Sequence, residues 1–473
     1  MPAVDRPFRV MAAACSGLAL VAATSVVAQN PRNDHHVGPE TFTRRVVASG
    51  LGNPWEVAWG PDGDLWVTER TAFRVTRIEP ASGATHVALV LDDAYTAVVQ
   101  DGLLGMALHP DLLRGRGRDY VYVAYTYNVA PGSGVSRRLR VRRYTYDAAS
   151  QTLTAPLDIL DNLPAHNDHG GGRLVFGPDA KLYLSRGDHG SNFLANYCNA
   201  NQAQDLPTSA DVRARDWSTY QGKILRINLD GSIPDDNPTI NGVRSHIFTY
   251  GHRNNQGMAF SAAGALYASE HGPSTDDELN LITAGRNYGW PFVAGFRDDR
   301  GYVYANWSAS SPTPCHTLKF DNLNPPASVP KARESVWPGE FVKPLATFFT
   351  VPAGYDFATY RNATVAPSGI DIYAAATIPD WATSILMTGM RTGAVYRMKL
   401  ASDGRSVAGP PVEYFKSSDR YRDLAISSDG SRIFLGTDTF GTTMDDTGAS
   451  TSRLANPGAI VEFVYAAAGK GGR

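Results

Sequence analysis

The sequence predicts an all-β fold, and three observations support this prediction. Apolar residues at helical spacing are scarce, whereas short runs of alternating apolar and polar residues are common. These runs lie between turns rich in Asp and Gly, which is the pattern of β-hairpins. A turn followed by two such strands occurs six times along the chain. Six similar units fit the blades of a β-propeller better than the two sheets of a sandwich, so we expect a six-bladed β-propeller.

Each predicted blade contains a segment with a turn and a strand, followed by a partner strand. In chain order the six pairs are "GPDGDLWVTER" (from Gly60) with "RVTRIEP", "HPDLLRGRGRDYVYVAYTY" (from His109) with "RLRVRRYTYD", "GPDAKLYLSRGD" (from Gly177) with "GKILRINLDG", "SAAGALYASEHG" (from Ser261) with "DELNLITAG", "DWATSILMTGM" (from Asp380) with "GAVYRMKL", and "SSDGSRIFLGTD" (from Ser427) with "GAIVEFVY". Period-2 alternation predicts that one face of each strand is buried. Because the units are irregularly spaced, a generic multi-hairpin β domain is the alternative.

Long insertions separate some of the repeats, around residues 189–220 and 296–355. Because blades radiate from a common axis, the loops at one end of a propeller converge over its central channel, where a pocket forms. We therefore expect long loop insertions over the central site, with the functional residues in loops.

The N-terminus has the pattern of a secretory signal peptide, in which two arginines precede the apolar run "VMAAACSGLALVAATSVVA". We expect residues 1–28 to be a signal peptide and residues 29–473 to form a single β-propeller catalytic domain. Cys15 has Ala12 three positions before it where a lipoprotein usually has a large aliphatic residue, which disfavours lipidation. The mature protein is expected to be soluble and periplasmic or secreted.

Charge and composition exclude several classes of partner. The formal net charge is -2, which gives no general attraction to nucleic acid or to an anionic membrane. After the predicted signal peptide, no run approaches the roughly 20 apolar residues that span a bilayer. Cys198 and Cys315 are the two cysteines that follow it, and the sequence leaves open whether they pair. We expect no nucleic-acid partner and no membrane span.

The segment "HNDHGGGR" from His166 combines two histidines and a carboxylate with three glycines. Glycines let the backbone approach a ligand closely and hold an imidazole where strand geometry would not. Asp188 ends the next predicted strand, and its carboxylate could bind one ring nitrogen of His169 and leave the other free as a general base. A metal site made by His166, Asp168, His169 and His189 is one alternative, and a polar surface loop is another.

Three further segments carry candidate ligand-binding residues. Alternation in "RYRD" places Arg420 and Arg422 on one side of a strand, where they could grip carboxylates or phosphates. The segment "GHRNNQG" adds Arg253 and Asn254 as hydrogen-bond donors. The segment "EHGPSTDDE" from Glu270 joins a Gly-Pro turn to acidic residues, as at hard-cation sites. Each also has a plainer interpretation, as a solvated strand face or an exposed turn.

In their joint order these segments resemble the soluble PQQ-dependent glucose dehydrogenases of the glucose/sorbosone dehydrogenase family. The matching segments cover nearly all of the mature chain: "QDGLLGMALHPD", "DHGGGRLVFGPDAKLYLSRGDHG", "NQAQ", "YQGKILRINLDGSIPDDNP", "GHRNNQGMAF", "NYGWPFVAGFRDDRGYVYAN", "TVAPSG" and "RYRDL". The resemblance implies a six-bladed β-propeller with PQQ and Ca²⁺ as cofactors. It also implies an aldose sugar as substrate and an external electron acceptor. A homodimer is one form of assembly, and the sequence leaves the oligomeric state open.

The resemblance gives the candidate residues specific roles. It implies that His169, oriented by Asp188, is the general base that takes the proton of the sugar C1 hydroxyl while hydride passes to C5 of the quinone. Arg253 matches the arginine that stabilises the oxygen of the reduced quinone. Gln100 and Asp168 match positions that contact the sugar.

The resemblance also implies residues that bind the cofactors. Contacts with PQQ fall on Asn254, Thr364, Arg391, Arg420 and Arg422. One Ca²⁺, which polarises a PQQ carbonyl, takes the backbone carbonyls of Gly272 and Pro273. A structural Ca²⁺ takes the backbone oxygens of Ala294 and Phe296 and the carboxylates of Asp298 and Glu334.

The sequence departs from the family pattern at several site positions. Asn362 stands where a tryptophan packs over the sugar, and the cysteine pair that brackets that loop is missing. Arg391 replaces a lysine, and His271 replaces a glutamine. These departures leave the preferred sugar open, with a broad aldose or sorbosone dehydrogenase as the second reading. A non-catalytic propeller that binds calcium and carbohydrate, and a calcium-dependent hydrolase, are the alternatives from other classes.

Overall fold

The structure, a computed structural model, describes residues 36–98, 100–360, 364–445 and 447–466. The predicted signal peptide and Asn362 lie outside the described residues, so the statements made about them stay predictions. Two short strands begin the described chain, β1 (His36–Val37) and β2 (Phe42–Ala48). Within the described residues, no helix combines the length and the apolar character needed to cross a bilayer.

The first three blades follow, each a sheet of four antiparallel strands. Blade 1 contains β3 (Pro54–Trp59), β4 (Leu65–Glu69), β5 (Arg74–Ile78) and β6 (Thr85–Val90). Blade 2 contains β7 (Leu103–Leu108), β8 (Tyr120–Asn128), β9 (Arg137–Asp147) and β10 (Thr152–Pro164). Blade 3 contains β11 (Leu174–Phe176), β12 (Leu182–Arg186), β13 (Lys223–Ile227) and, after the hairpin β14 (Thr239–Ile240) and β15 (Val243–Arg244), β16 (Ile247–Tyr250). Between β12 and β13 lie a 3-10 helix (Leu194–Asn196) and α1 (Ser209–Ala214).

The last three blades complete the ring. Blade 4 contains β17 (Asn255–Phe260), β18 (Leu266–Glu270), β19 (Asp277–Ile282) and, after the hairpin β20 (Tyr304–Ala305) and β21 (Lys331–Ala332), β22 (Ala346–Phe348). The 3-10 helices here are Trp307–Ala309, Cys315–Thr317 and Glu334–Val336. After α2 (Phe357–Tyr360), blade 5 contains β23 (Pro367–Tyr373), β24 (Ser384–Gly389), β25 (Ala394–Lys399) and β26 (Val412–Tyr414), with β1 added in parallel. Blade 6 contains β27 (Tyr421–Ile426), β28 (Arg432–Thr437) and, after the hairpin β29 (Thr443–Met444) and β30 (Ser450–Thr451), β31 (Ile460–Tyr465).

Blade 6 joins the two ends of the described chain, because the N-terminal strand β2 is its outermost strand. The first strands of successive blades contact one another around the axis, and β27 of blade 6 contacts β3 of blade 1. Apolar side chains fill the space between neighbouring blades; Phe434 of blade 6, for example, belongs to one core with Val57 and Val67 of blade 1. The six-bladed β-propeller that the sequence predicts is confirmed.

The six predicted strand pairs are the second and third strands of the six blades, all antiparallel. The expectation that each strand buries one face was wrong for the strands in the middle of a blade. All five residues of β4 and all five of β12 are buried. A blade packs against a neighbour on each of its two faces, so its middle strands are shielded on both sides.

Two long insertions contact each other. Residues 187–222 join β12 to β13, and residues 283–345 join β19 to β22, so the second insertion begins earlier than the sequence predicted. A disulfide between Cys198 and Cys315 connects them, with 5.7 Å between the Cα atoms. The Asn192 side-chain amide donates to the Ala305 carbonyl at 2.8 Å. The pairing of the two cysteines, which the sequence left open, therefore fastens the two insertions together.

Candidate active site

The topology gathers the candidate residues at one end of the propeller. In an antiparallel blade, the segment before the first strand and the segment after the second strand lie at the same end of the sheet. His169 precedes β11 and Asp188 follows β12 in blade 3. Arg253 precedes β17 of blade 4, and Arg420 precedes β27 of blade 6. Residues far apart in sequence therefore meet over the axis.

His169 and Asp188 form a buried pair. The ring Nδ1 of His169 lies 2.7 Å from Asp188 Oδ1. His169 is 6% exposed and has a φ of 42°, a left-handed conformation that the neighbouring glycines and blade contacts support. With Nδ1 donating to the carboxylate, Nε2 of the neutral ring is left as an acceptor. The pair has the arrangement of a general base and its orienting group.

The Asp188 carboxylate is held by several other donors. The amide of Asn201 and the indole N–H of Trp290 donate to Oδ2 at 2.9 and 2.7 Å, and the backbone N–H of Gly190 donates to Oδ1 at 2.9 Å. Burial alone would raise the pKa of Asp188, but His169 and Arg253 outweigh burial, and the pKa lies below its usual value. Asp188 is therefore a fixed carboxylate.

A narrow pocket opens beside this pair. Its lining combines His169, Asp188 and Arg253 with aromatic residues of both insertions, among them Phe193, Trp290 and Tyr302. The Arg253 guanidinium lies 5.5 Å from the Trp290 ring and donates to the His271 carbonyl at 3.3 Å. The pocket thus offers a base, a cation and apolar ring surfaces to one small ligand.

The predicted substrate-contacting residues adjoin the pair. Gln100 donates its amide to Asp168 Oδ1 at 2.7 Å, and the backbone N–H of His169 donates to the same oxygen at 3.0 Å. The rings of His166 and His189 stack with their centroids 6.2 Å apart. Among the residues that the structure describes, no group of three or more His, Cys, Asp or Glu side chains could hold a metal ion, so the geometry does not support the alternative of a histidine-rich metal site.

A second, larger pocket of about 410 Å³ lies over the axis and is rich in arginine. Arg422 donates to Asp438 Oδ1 and Oδ2 at 3.0 and 2.9 Å, and Arg420 donates to Oδ2 at 3.2 Å. Arg70 lines the same pocket, and burial together with Arg422 lowers its pKa to about 10. Among the described residues, the lining contains three guanidinium groups and one carboxylate, that of Asp438, so its charge is positive.

Two residues of this pocket carried little signal in the sequence. Arg70 was missed, because it follows β4 in an ordinary turn and reaches the axis only when blade 1 closes against blade 6. His271 was noted only as a departure from the family pattern. Its Nε2 is buried and has no hydrogen-bond partner within the described residues, and burial lowers its pKa well below its usual value. An unpartnered polar atom in a cationic pocket points to a ligand there.

The other predicted cofactor residues lie around this pocket. Asn254 Oδ1 accepts from the Gln256 amide at 3.0 Å, and Gln256 in turn accepts from Arg422 at 3.1 Å. Arg391 donates to the Thr443 carbonyl at 2.8 Å, and burial and Arg420 lower its pKa. The Thr364 hydroxyl donates to Asp277 at 2.6 Å.

Comparison with known proteins identifies the family. The sequence model of the family described as "Glucose / Sorbosone dehydrogenase" matches residues 51–312 and 353–444. The chain belongs to the glucose/sorbosone dehydrogenase family.

Individual relatives agree with this membership. The chain is 42% identical over 442 residues to quinoprotein glucose dehydrogenase B of Acinetobacter calcoaceticus, covering 90% of this chain and 92% of the relative. It is also similar to the PQQ-bound structure of an aldose sugar dehydrogenase from Streptomyces coelicolor, with a TM-score of 0.61 and 26% identity over 90% of this chain and 99% of that one. The apo structure of the soluble aldose sugar dehydrogenase of Escherichia coli, at 24% identity and a TM-score of 0.63, covers 90% of this chain and 100% of that one and shares the fold.

In this family member, the segment predicted to bind the first Ca²⁺ lies between the two pockets. The Gly272 N–H donates to Asp277 at 2.9 Å, and the Pro273 carbonyl accepts from the Ser274 hydroxyl at 2.6 Å. Pro273 also lines the pocket that contains His169. Burial raises the pKa of Asp277 to about 6. The carbonyl ligands assigned to Ca²⁺ stay a prediction.

The residues predicted to bind the structural Ca²⁺ cluster in the second insertion. Glu334 is fully buried and accepts from the backbone N–H of Ala294 at 2.9 Å and of Asp298 at 3.2 Å. Phe296 lies between those two residues in the chain. Burial raises the pKa of Glu334 to about 7. The structure brings these residues together, and their role as ligands stays a prediction.

Proposed function

We propose that the chain is a PQQ- and calcium-dependent dehydrogenase that oxidises the C1 hydroxyl of an aldose to a lactone. The observation that carries this proposal is the His169–Asp188 pair, 2.7 Å between Nδ1 and Oδ1, in a pocket that also contains Arg253. The membership of the glucose/sorbosone dehydrogenase family supports the same reaction.

The arginine-rich pocket fits PQQ, which carries three carboxylates. Arg70, Arg420 and Arg422 outnumber the one carboxylate of Asp438 in its lining, so an anionic ligand would be stabilised there. Asn254, Thr364 and Arg391 would complete the contacts around it. When bound, PQQ supplies a quinone carbon that accepts hydride.

The chain's own residues would handle the proton. His169 Nε2 accepts the proton of the C1 hydroxyl, while Asp188 keeps the ring in the correct tautomer and stabilises the imidazolium that forms. Gln100 and Asp168 orient the sugar beside the base, and Arg253 stabilises negative charge that develops on oxygen. The aromatic residues of the two insertions exclude water from this pocket.

Calcium is part of the same proposal. The carbonyls of Gly272 and Pro273 would hold an ion that polarises the cofactor, and Ala294, Phe296, Asp298 and Glu334 would hold a structural ion.

The signal-peptide pattern supports a periplasmic or secreted location for the propeller formed by residues 29–473. There, electrons would leave to an external acceptor, and two copies of the chain would assemble as a homodimer.

A broad aldose or sorbosone dehydrogenase is the second candidate, and one observation favours it. A cavity of about 250 Å³ adjoins the catalytic pocket and shares Pro273, Tyr302, Val303, Ala305 and Asn322 with it. This space would admit an aldose larger than a single ring.

The test is dye-linked oxidation of mono- and disaccharides by the mature chain, with and without added PQQ and Ca²⁺. We expect turnover to require both. His169→Ala should bind PQQ with unchanged affinity and lose about 10²- to 10⁴-fold in kcat, whereas His166→Ala should stay within about threefold of the wild type because His166 does not line the pocket that contains His169. PQQ-independent turnover, or near-normal turnover of His169→Ala, would contradict the proposal.

A further inference from the structure

Two cations lie fully buried at the site-facing end of blade 3. Arg186 is the last residue of β12 and Lys223 is the first residue of β13, and the two are opposite each other in the sheet register. Each is 0% exposed, and neither forms an ion pair with a carboxylate in the part of the chain that the structure describes. Removing a cation from water costs several kcal/mol unless other groups compensate its charge. A buried basic residue without an ion pair therefore requires a structural or functional explanation.

Backbone carbonyls alone compensate the buried charge of Lys223. Its Nζ donates to the carbonyls of Gln202, Ala203 and Gln221 at 2.9, 3.0 and 2.6 Å. Burial lowers the pKa of Lys223 to about 7, and three carbonyl acceptors, one for each hydrogen of an ammonium group, favour its charged form. Lys223 therefore anchors residues 202–203 of the first insertion to the strand behind them.

The anchored segment carries the donors that hold Asp188. Asn201, next to Gln202, donates its amide to Asp188 Oδ2 at 2.9 Å. Gln204 donates to the backbone carbonyl of Trp290 at 2.7 Å, and the Trp290 indole donates to the same Oδ2 at 2.7 Å. Both side-chain donors on that oxygen thus depend on the segment that Lys223 holds.

Arg186 holds the other half of the pair. Its guanidinium donates to the carbonyl of Gly170 at 2.8 Å and also to the carbonyl of Pro164. Gly170 directly follows His169, whose backbone is in the left-handed conformation with a φ of 42°. A fixed Gly170 carbonyl restrains the peptide that sets the direction of the imidazole.

We infer that Arg186 and Lys223 are positioning residues for the proposed reaction. Lys223 fixes the position of the Asp188 carboxylate through Asn201 and Gln204. Arg186 fixes the position of the His169 ring through Gly170. Neither residue lines the pockets proposed for the sugar and the cofactor. This inference rests on the proposed role of His169 as the base.

The first test is Lys223→Met in the PQQ-loaded enzyme with an oxidisable aldose. We expect kcat to fall about ten- to a hundredfold through misalignment of the pair, while KM and the Kd of PQQ stay within about twofold because their contacts lie elsewhere. In an Asp188→Asn background the same substitution should change kcat by less than about twofold, since both act on one unit. Arg186→Met should also lower kcat, and Arg186→Lys should restore part of it.

Arg226→Met is the matched control. Arg226 lies in the same strand and is 5% exposed, but it pairs with Asp179 and Asp236 at the opposite end of the blade. Its replacement should lower Tm and leave kcat unchanged. An unchanged kcat for Lys223→Met, or losses that multiply with Asp188→Asn, would overturn the inference. If Lys223→Met does not fold, Asn201→Ala cuts the same connection at a half-buried side chain and should lower kcat in the same way.

A second measurement separates this inference from the proposed function. A proton shared between His169 Nδ1 and Asp188 should give a low-field NMR signal, assignable in ¹⁵N-histidine-labelled protein without PQQ or sugar. We expect the signal in the wild type and in Arg226→Met, and its shift or loss in Lys223→Met and Arg186→Met. If neither Lys223→Met nor Arg186→Met moves the signal, the inference is overturned. If these substitutions move the signal but the wild type does not oxidise sugar, only the proposed function is contradicted.

Discussion

The indole N–H of Trp290 donates to Asp188 Oδ2 at 2.7 Å, across 102 positions of sequence. Trp290 belongs to the insertion of blade 4, whereas Asp188 follows a strand of blade 3. The carboxylate that faces His169 is therefore oriented by two blades, and its position depends on how the two insertions meet. Substitutions in the second insertion should act on the catalytic pair without contacting His169.

Trp290→Phe tests this dependence. The phenyl ring keeps the contact with Tyr302, whose ring centroid is 5.5 Å away, but removes the N–H donor. A hydrogen bond to a charged group contributes about 1.5–3 kcal/mol, so we expect kcat to fall by about ten- to a hundredfold, with the Kd of PQQ unchanged. Trp337→Phe, in the same insertion but stacked on Phe292, is the control and should leave kcat unaltered. Equal kcat values for all three proteins would mean that the indole hydrogen bond does not orient the base.

The disulfide between the insertions should contribute to both stability and substrate binding. It closes a sequence separation of 117 residues, and such a link typically stabilises a fold by about 2–4 kcal/mol. Both linked insertions line the catalytic pocket, Phe193 from the first and Asn322 from the second. For Cys198→Ser with Cys315→Ser we expect a lower free energy of unfolding and a raised KM for the sugar, with unchanged affinity for PQQ.

Urea denaturation and steady-state kinetics measure these two effects. The reduced wild type should behave as the double variant does, and the double variant should not respond to reductant. A KM that stays constant in both would show that the pocket wall holds its shape without the disulfide.

The blades could be predicted from sequence because their signals are local. Each turn and the strands beside it lie within about twenty residues, so the alternation and the turn residues identify a hairpin without knowledge of the rest of the chain. Burial of the middle strands on both faces could not be predicted, because it depends on the neighbouring blades. The closure of blade 6 by β2 joins residues that are more than four hundred positions apart.

The same distinction between local signals and long-range contacts applies to the site. His169 and Asp188 flank two successive strands of one blade, so their meeting could be expected from the chain order. Asn201 and Trp290 lie in the family-matching segments "NQAQ" and "NYGWPFVAGFRDDRGYVYAN", but the sequence predicts a role for neither residue, and Arg70 lies in no such segment. All three reach the site through insertions or through a neighbouring blade. Lys223 reads as an ordinary strand residue in "GKILRINLDG" until the structure shows three carbonyls around its ammonium group.

A buried charged cluster lies between the first strands of the blades. Arg173 contacts Glu56 of β3 and Asp423 of β27, the latter at 3.0 Å. Burial raises the pKa values of Glu56 and Asp423, although Arg173 opposes the shift. Burial also raises the pKa of the nearby Asp371 from 3.8 to about 7. One arginine faces three carboxyl groups, so the folded protein retains protons that the unfolded chain would release.

This cluster makes stability depend on pH in a definite direction. Between about pH 4 and pH 7 the folded state binds more protons at Asp371 than the unfolded state does, so the free energy of unfolding falls as pH rises through that window. Asp371→Asn removes the titrating group and should reduce the slope, as urea denaturation at several pH values would measure. Asp235→Asn, at a fully exposed carboxylate, is the control and should keep the wild-type slope. A wild-type stability that rises across this window would mean that the carboxyl groups between the blades are ionised in the folded protein, with Arg173 outweighing their burial.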